Sequence, residues 1–129
     1  PGVFEELRLL LNFQTDTQSL ITLILAGQPE LKTKVESNKQ LNQRVSISYH
    51  LKAFTKQETD NYIQYRLKKA GSGTVAIDTD AYDMIFQRSG GIPRWINNIC
   101  HMSLLTAFSR KASSVTAEIV TEAVQSLAK

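Results

Sequence analysis

The sequence predicts a mixed α and β chain, mostly helical, with two strands in residues 1–52 and four helices in residues 53–129. Three observations lead there. Residues 20–26 (Leu-Ile-Thr-Leu-Ile-Leu-Ala) form an apolar run, partly β-branched and stopped by Gly27, which is the pattern of a strand buried on both faces of a parallel sheet. Residues 45–51 alternate strictly, with Val45, Ile47, Tyr49 and Leu51 on one side and Ser46, Ser48 and His50 on the other, as in a half-exposed edge strand. From Phe54 onward the texture is helical, with apolar stripes at three and four spacings such as Ile63, Leu67 and Ala70, the period of helices packed by one face.

Each element follows in order. Phe4, Leu7 and Leu11 share a face, and Glu5 and Glu6 suit a first turn, so a helix is expected over 3–13. Polar residues 14–19 separate it from the first strand. Gln28-Pro29-Glu30-Leu31 begins a helix, since proline fits a first turn, and this helix ends near Ser37 and Asn38. A short helix over 39–44 leads into the second strand. Thr55 and Glu58 have the spacing of a capping box, and the helix they start carries Ile63, Leu67 and Ala70 before Gly71 ends it. Gly71-Ser72-Gly73 reads as a turn. Asp78 caps the next helix, in which Ala81, Met84 and Ile85 face inward, and Gly90-Gly91 provides the exit. Pro93 opens a long helix with Ile96, Ile99, Cys100 and Leu104 on one side. Val115 and Val120 flank Thr116 as a hydrophobic staple, and the last helix buries Ile119, Ala123, Val124 and Leu127.

Composition narrows the function. Fifteen Lys and Arg against 12 Asp and Glu is too even a balance to imply nucleic-acid or membrane affinity, and the 42% hydrophobic content excludes a disordered chain. One cysteine excludes an internal disulfide framework and suits a reducing compartment. His50 and His101 stand too far apart in sequence to suggest zinc. No apolar run approaches the roughly 20 residues that span a bilayer, and no signal peptide is visible. Pro1 in first position suits a processed product or a piece of a longer chain.

The expected sheet is incomplete. A doubly buried strand requires a hydrogen-bonded neighbour on each edge, because unpaired buried backbone groups cost about 1 to 3 kcal/mol each. Two parallel strands alone hardly make a stable sheet. The sequence therefore reads as the back half of a larger α/β domain followed by an intact helical domain, dividing near Lys52.

Catalytic signatures are scarce: the chain has no nucleophile elbow, no His-Glu-x-x-His and no glycine-rich loop followed by Lys and Ser or Thr. Three polar positions nonetheless suit nucleotide chemistry. Gln28 follows the carboxyl end of the first strand, the edge where open α/β sheets bind ligands; it can orient a water or touch a phosphate, and it equally suits a tight Gly-Gln-Pro turn. Arg44 ends a short helix before the second strand, where a guanidinium can reach a neighbouring molecule's phosphates; a solvated surface arginine is the plainer reading. Arg94 lies in the first turn of the long helix, against the dipole, which calls for an anion or a nearby acid such as Asp80 or Asp83. Trp95 suits a stacked base less than a core position, His50 a solvated edge, and Cys100 a buried and inert thiol.

Six stretches in this order resemble a known family: Leu7-Arg8-Leu9-Leu10-Leu11-Asn12-Phe13; Leu25-Ala26-Gly27-Gln28-Pro29-Glu30-Leu31; Gln43-Arg44-Val45; Tyr49-His50-Leu51; Tyr62-Ile63 with Arg66-Leu67; and Gly90-Gly91-Ile92-Pro93-Arg94-Trp95-Ile96-Asn97. Together they resemble the ExeA-like AAA+ ATPases of the bacterial general (type II) secretion pathway, over nearly the whole chain. The resemblance implies the C-terminal portion of such an ATPase, without the Walker A and Walker B motifs: the sensor 1 strand and arginine-finger region over 1–52, and a helical lid with sensor 2 over 53–129. It implies Gln28 as the sensor 1 residue, Arg44 as an arginine finger acting on an adjacent subunit, and Arg94 as the sensor 2 arginine that contacts nucleotide. ATP and magnesium are then cofactors of the whole protein, with none expected on this piece, which would be inactive alone. Secretion-apparatus components are the implied partners, at a cytoplasmic location that parts outside this chain would bring to the inner-membrane face, and self-association is expected through the open sheet edge.

Two other readings compete. A DNA-binding or transposition- and replication-related module is disfavoured because residues 53–129 hold nine Lys or Arg against seven Asp or Glu, without a basic stripe. A non-enzymatic helical protein-interaction domain is the other.

Overall fold

The computed structural model describes residues 2–15, 17–71 and 76–127. The expected Ser72-Gly73 part of the turn after Gly71 lies outside them, as does Pro1. The chain is mixed α and β and mostly helical, as its sequence predicts, and the described residues contain a two-stranded parallel sheet. It divides into two units, Pro1–Leu51 and Lys52–Lys129.

In the first unit, α1 spans Gly2–Leu10, α2 Glu30–Ser37 and α3 Lys39–Asn42. An antiparallel bridge joins Gln14 to Ser19. Asn38 ends α2 and starts α3, its side-chain oxygen accepting the Leu41 N–H at 3.1 Å, an ordinary N-cap that lets two helices meet at one residue. Among the described residues of this unit only Leu41 is buried.

Both strands expected in this unit are absent. Residues 21–28 and 45–51 are neither helix nor strand. Ile24 is 85% exposed, and Ile47, Tyr49 and Leu51 are exposed to a similar degree. The reason is the one that makes the pattern legible as strand. A strand exists only as part of a ladder, and neither segment has a backbone neighbour to pair with among the described residues.

The second unit is where the core forms. Its helices are α4 Lys56–Lys69, α5 Thr79–Ser89, α6 Pro93–Ser109 and α7 Ala117–Leu127. Thr55 accepts the Glu58 N–H, and the Glu58 carboxylate accepts the Thr55 N–H at 2.8 Å, completing the capping box that starts α4. Ile63, Ala81, Ile85, Ile96, Ile99, Val115, Ile119 and Val120 are buried together, and α6 against α7 is the most extensive helix pair. The staple forms as well, with Val115 and Val120 buried and Thr116 Oγ1 accepting the Ile119 N–H at 3.4 Å. The actual sheet lies here: β1, Ala76–Ile77, runs parallel to β2, Ser114–Val115, with Ile77 opposite Val115. Two-residue strands show no alternation, so the sequence does not reveal them.

Candidate functional site around the first turn of α6

The site is built from the turn between α5 and α6. Gly90 closes α5 in the left-handed region, φ +58°, with its N–H donating to the Phe86 carbonyl. Gly91 is left-handed too, φ +73°, and a Cβ on it would stand 2.0 Å from the Phe54 carbonyl oxygen. Only glycine satisfies both conditions, because any side chain would strain the backbone and collide with fixed main chain. The close approach is fastened by the Phe54 N–H, which donates to the Gly91 carbonyl at 2.8 Å. Ile92 then turns the chain, and Pro93 opens α6 with a φ suited to a helix and without an N–H to leave unpaired.

This geometry fixes Arg94 as the second residue of α6, exposed. Among the described residues it makes no ion pair. Asp83, one of the acids that would have explained it, is paired with Lys56 at 2.9 Å. Lys56 also holds Asp60 at 2.6 Å, and its ammonium pKa is raised chiefly by the Asp60 hydrogen bond, with Asp83 adding to it. An arginine in a helix's first turn opposes the dipole. Arg94 is thus a cation in an unfavourable position with no acid against it, which is suited to an anionic ligand.

One turn on, Ile96 enters the core and Asn97 accepts a hydrogen bond from the Tyr62 hydroxyl at 3.1 Å. That hydroxyl in turn accepts from the Arg66 guanidinium at 3.3 Å. The Tyr62 and Phe54 rings stand 5.3 Å apart at 55°. The stretches around Tyr62 and around Arg94, far apart in sequence, therefore frame one turn. Sequence reading picked out Tyr62, Arg66 and Asn97 as landmarks without joining them, since a contact 35 residues apart leaves no local pattern. Trp95, expected in the core, is instead 49% exposed, because Ile96 and Ile99 take the inward positions of this helix. Burial pushes the Cys100 thiol up to about 11.

The other two candidates lie in the first unit. Gly27 packs against Leu31, where an added Cβ would meet Leu31 Cδ2 at 2.9 Å. The Leu31 N–H donates to the Gln28 carbonyl at 2.8 Å. Gly-Gln-Pro-Glu-Leu is therefore a tight turn onto α2 that leaves the Gln28 side chain exposed. Arg44 follows α3, its N–H donating to the Leu41 carbonyl at 3.0 Å and its side chain exposed. No hydrogen bond or ion pair joins Gln28 to Arg44 among the described residues. A shallow open depression in this unit is lined by Phe4, Lys34, Ser37, Asn38, Lys39 and Gln40, and contains neither of them. Among the described residues there is no group of three or more His, Cys, Asp or Glu able to hold a metal ion, and no helix is long and apolar enough to cross a membrane.

Comparison with known proteins yields no matching family model and no matching solved structure. The chain is 40% identical over 117 residues to general secretion pathway protein A of Aeromonas hydrophila. The match takes in 89% of this chain but only 21% of that relative's length, so the chain spans about a fifth of the protein it matches. Over that segment the chain is a relative of general secretion pathway protein A, and the resemblance to the ExeA-like proteins carried by its landmark stretches is borne out.

Proposed function

We propose that this chain is the nucleotide-sensing and lid portion of an AAA+ ATPase of the general secretion pathway. Arg94 reads bound nucleotide as sensor 2, Gln28 serves as sensor 1 and Arg44 acts in trans as an arginine finger. The observation that carries this reading is Arg94 itself. It is an arginine at an amino end that disfavours it, without an ion-pair partner among the described residues, held by a turn whose geometry demands glycine at position 91. A phosphate group relieves the unfavourable charge through charge-assisted hydrogen bonds. The 40% identity to a general secretion pathway protein supplies the context.

These 129 residues contain no phosphate-binding loop, so ATP binding and hydrolysis belong to a protein that also carries one, and the piece alone is inactive. When bound there, ATP supplies the phosphates and magnesium neutralises part of their charge. Arg94 fits the phosphates, whereas the carboxylates for magnesium must come from elsewhere. Secretion-apparatus components are the proposed partners, and the unpaired segments 20–26 and 45–51 favour self-association. The test is ATP affinity and turnover in the complete protein. Arg94→Ala should weaken ATP binding by about 1.5 to 3 kcal/mol, the worth of a hydrogen bond to a charged group. Arg44→Ala should spare binding and lower turnover of the assembled oligomer. Small, equal effects from both would return them to ordinary surface charges, and tight magnesium-dependent ATP binding by the 129-residue chain would contradict the inactive-alone reading.

A further inference from the structure

We infer that Phe54 and Gly91, with Tyr62 and Asn97 behind them, are positioning residues that hold Arg94 in fixed register with the point where the chain enters the helical unit. The inference deepens the sensor 2 reading and rests on it.

Three connections bind the same short stretch. The Phe54 N–H donates to Gly91 at 2.8 Å, and the Phe54 carbonyl fills the space a Gly91 side chain would need. The Phe54 ring packs on Tyr62 of α4. Tyr62 then reaches across to Asn97, one turn after Arg94 on the same helix. The circuit Phe54, Gly91, Asn97, Tyr62 and back to Phe54 closes around the five residues 92–96, with Arg94 at their centre. A relative shift of an ångström between the two main-chain segments breaks the hydrogen bond, so the first turn of α6, which carries Arg94, is tied to Phe54. A displacement of the incoming chain at residues 52–54 would thereby reach the first turn of α6 through the Phe54–Gly91 hydrogen bond. Such an arrangement is what a sensor requires, since the reporting cation must follow the segment to which it reports.

Double-mutant analysis of ATP affinity in the complete protein tests this. Gly91→Ala, strained at φ +73° and obstructed by Phe54, should weaken ATP binding about tenfold or more. In an Arg94→Ala background it should add nothing, because its effect passes through that arginine. Tyr62→Phe removes only the hydroxyl, which donates to Asn97 and accepts from Arg66. It should weaken binding by about three- to fivefold with Arg94 present, and have no effect with Arg94 absent. If Gly91→Ala is too damaged to fold, Tyr62→Phe decides alone. Effects that multiply with Arg94→Ala, or folded variants that bind ATP like the parent while Arg94→Ala does not, would overturn the positioning role. An Arg94→Ala protein that binds ATP normally would instead overturn the sensor reading beneath it.

Discussion

Cys100 stands on the inner side of α6, and its apolar surroundings hold the thiol protonated well beyond the physiological range, up to about 11 against an ordinary 9.0. The thiolate is the reactive form. Alkylation by iodoacetamide at pH 8 should therefore run roughly a hundredfold slower in the folded chain than at an unhindered thiol, and accelerate on unfolding; rapid labelling of the native chain would refute the burial. The sign of the linkage is set by the same shift. Stability is fully present below about pH 9 and is lost as pH rises toward the folded value. The inertness of this residue was legible from its place on an apolar stripe. The exposure of Trp95 was not, because a single tryptophan at a helix start belongs to either face until the inward positions are assigned, and here Ile96 and Ile99 occupy them.

Among the elements, those whose signals are local were readable and those that depend on a distant partner were not. The capping box of α4 needs only Thr55 and Glu58, and it forms as spelled. The Glu58 carboxyl is held below its ordinary 4.5, first by the Thr55 N–H and then by the Thr55 hydroxyl. Its stabilising effect is present above about pH 4.5 and fades as pH falls through the lowered value. Thr55→Ala should cost about 1 kcal/mol at pH 7 in urea unfolding, and the gap to the parent chain should narrow near pH 3. A gap unchanged by acid would show that the bond from the Thr55 hydroxyl to the carboxylate contributes nothing to the cap. By contrast, residues 20–26 and 45–51 carry strong strand patterns and form no strand, whereas β1 and β2 carry none and pair. Pattern records what a segment can bury; pairing depends on what lies beside it.

Taken whole, the molecule places nearly all its buried side chains in the unit Lys52–Lys129, and leaves apolar residues of the other unit open to water. Chain outside any helix or ladder, with exposed Ile24, Ile47, Tyr49 and Leu51, invites pairing between copies. Sedimentation of the 129-residue chain should show concentration-dependent association, and Ile24→Lys with Ile47→Lys should suppress it; a monomer at every concentration would argue against this. At this scale Gln28, Arg44 and Arg94 stood out by position, and the order of landmarks is what assigned each an expected role. The frame around Arg94 became visible only when Phe54, Tyr62 and Asn97 could be seen to converge.

The short ladder between β1 and β2 has a temporal meaning as well. It joins Ala76 to Ser114 across both α5 and α6, and the helix that seals the core, α7, comes after it in the chain. During synthesis, then, the ribosome must release most of the helical unit before its first strand finds a partner and α7 covers the core. The nascent segment waits with its hydrophobic faces open, in the interval when chaperones have the most to grasp.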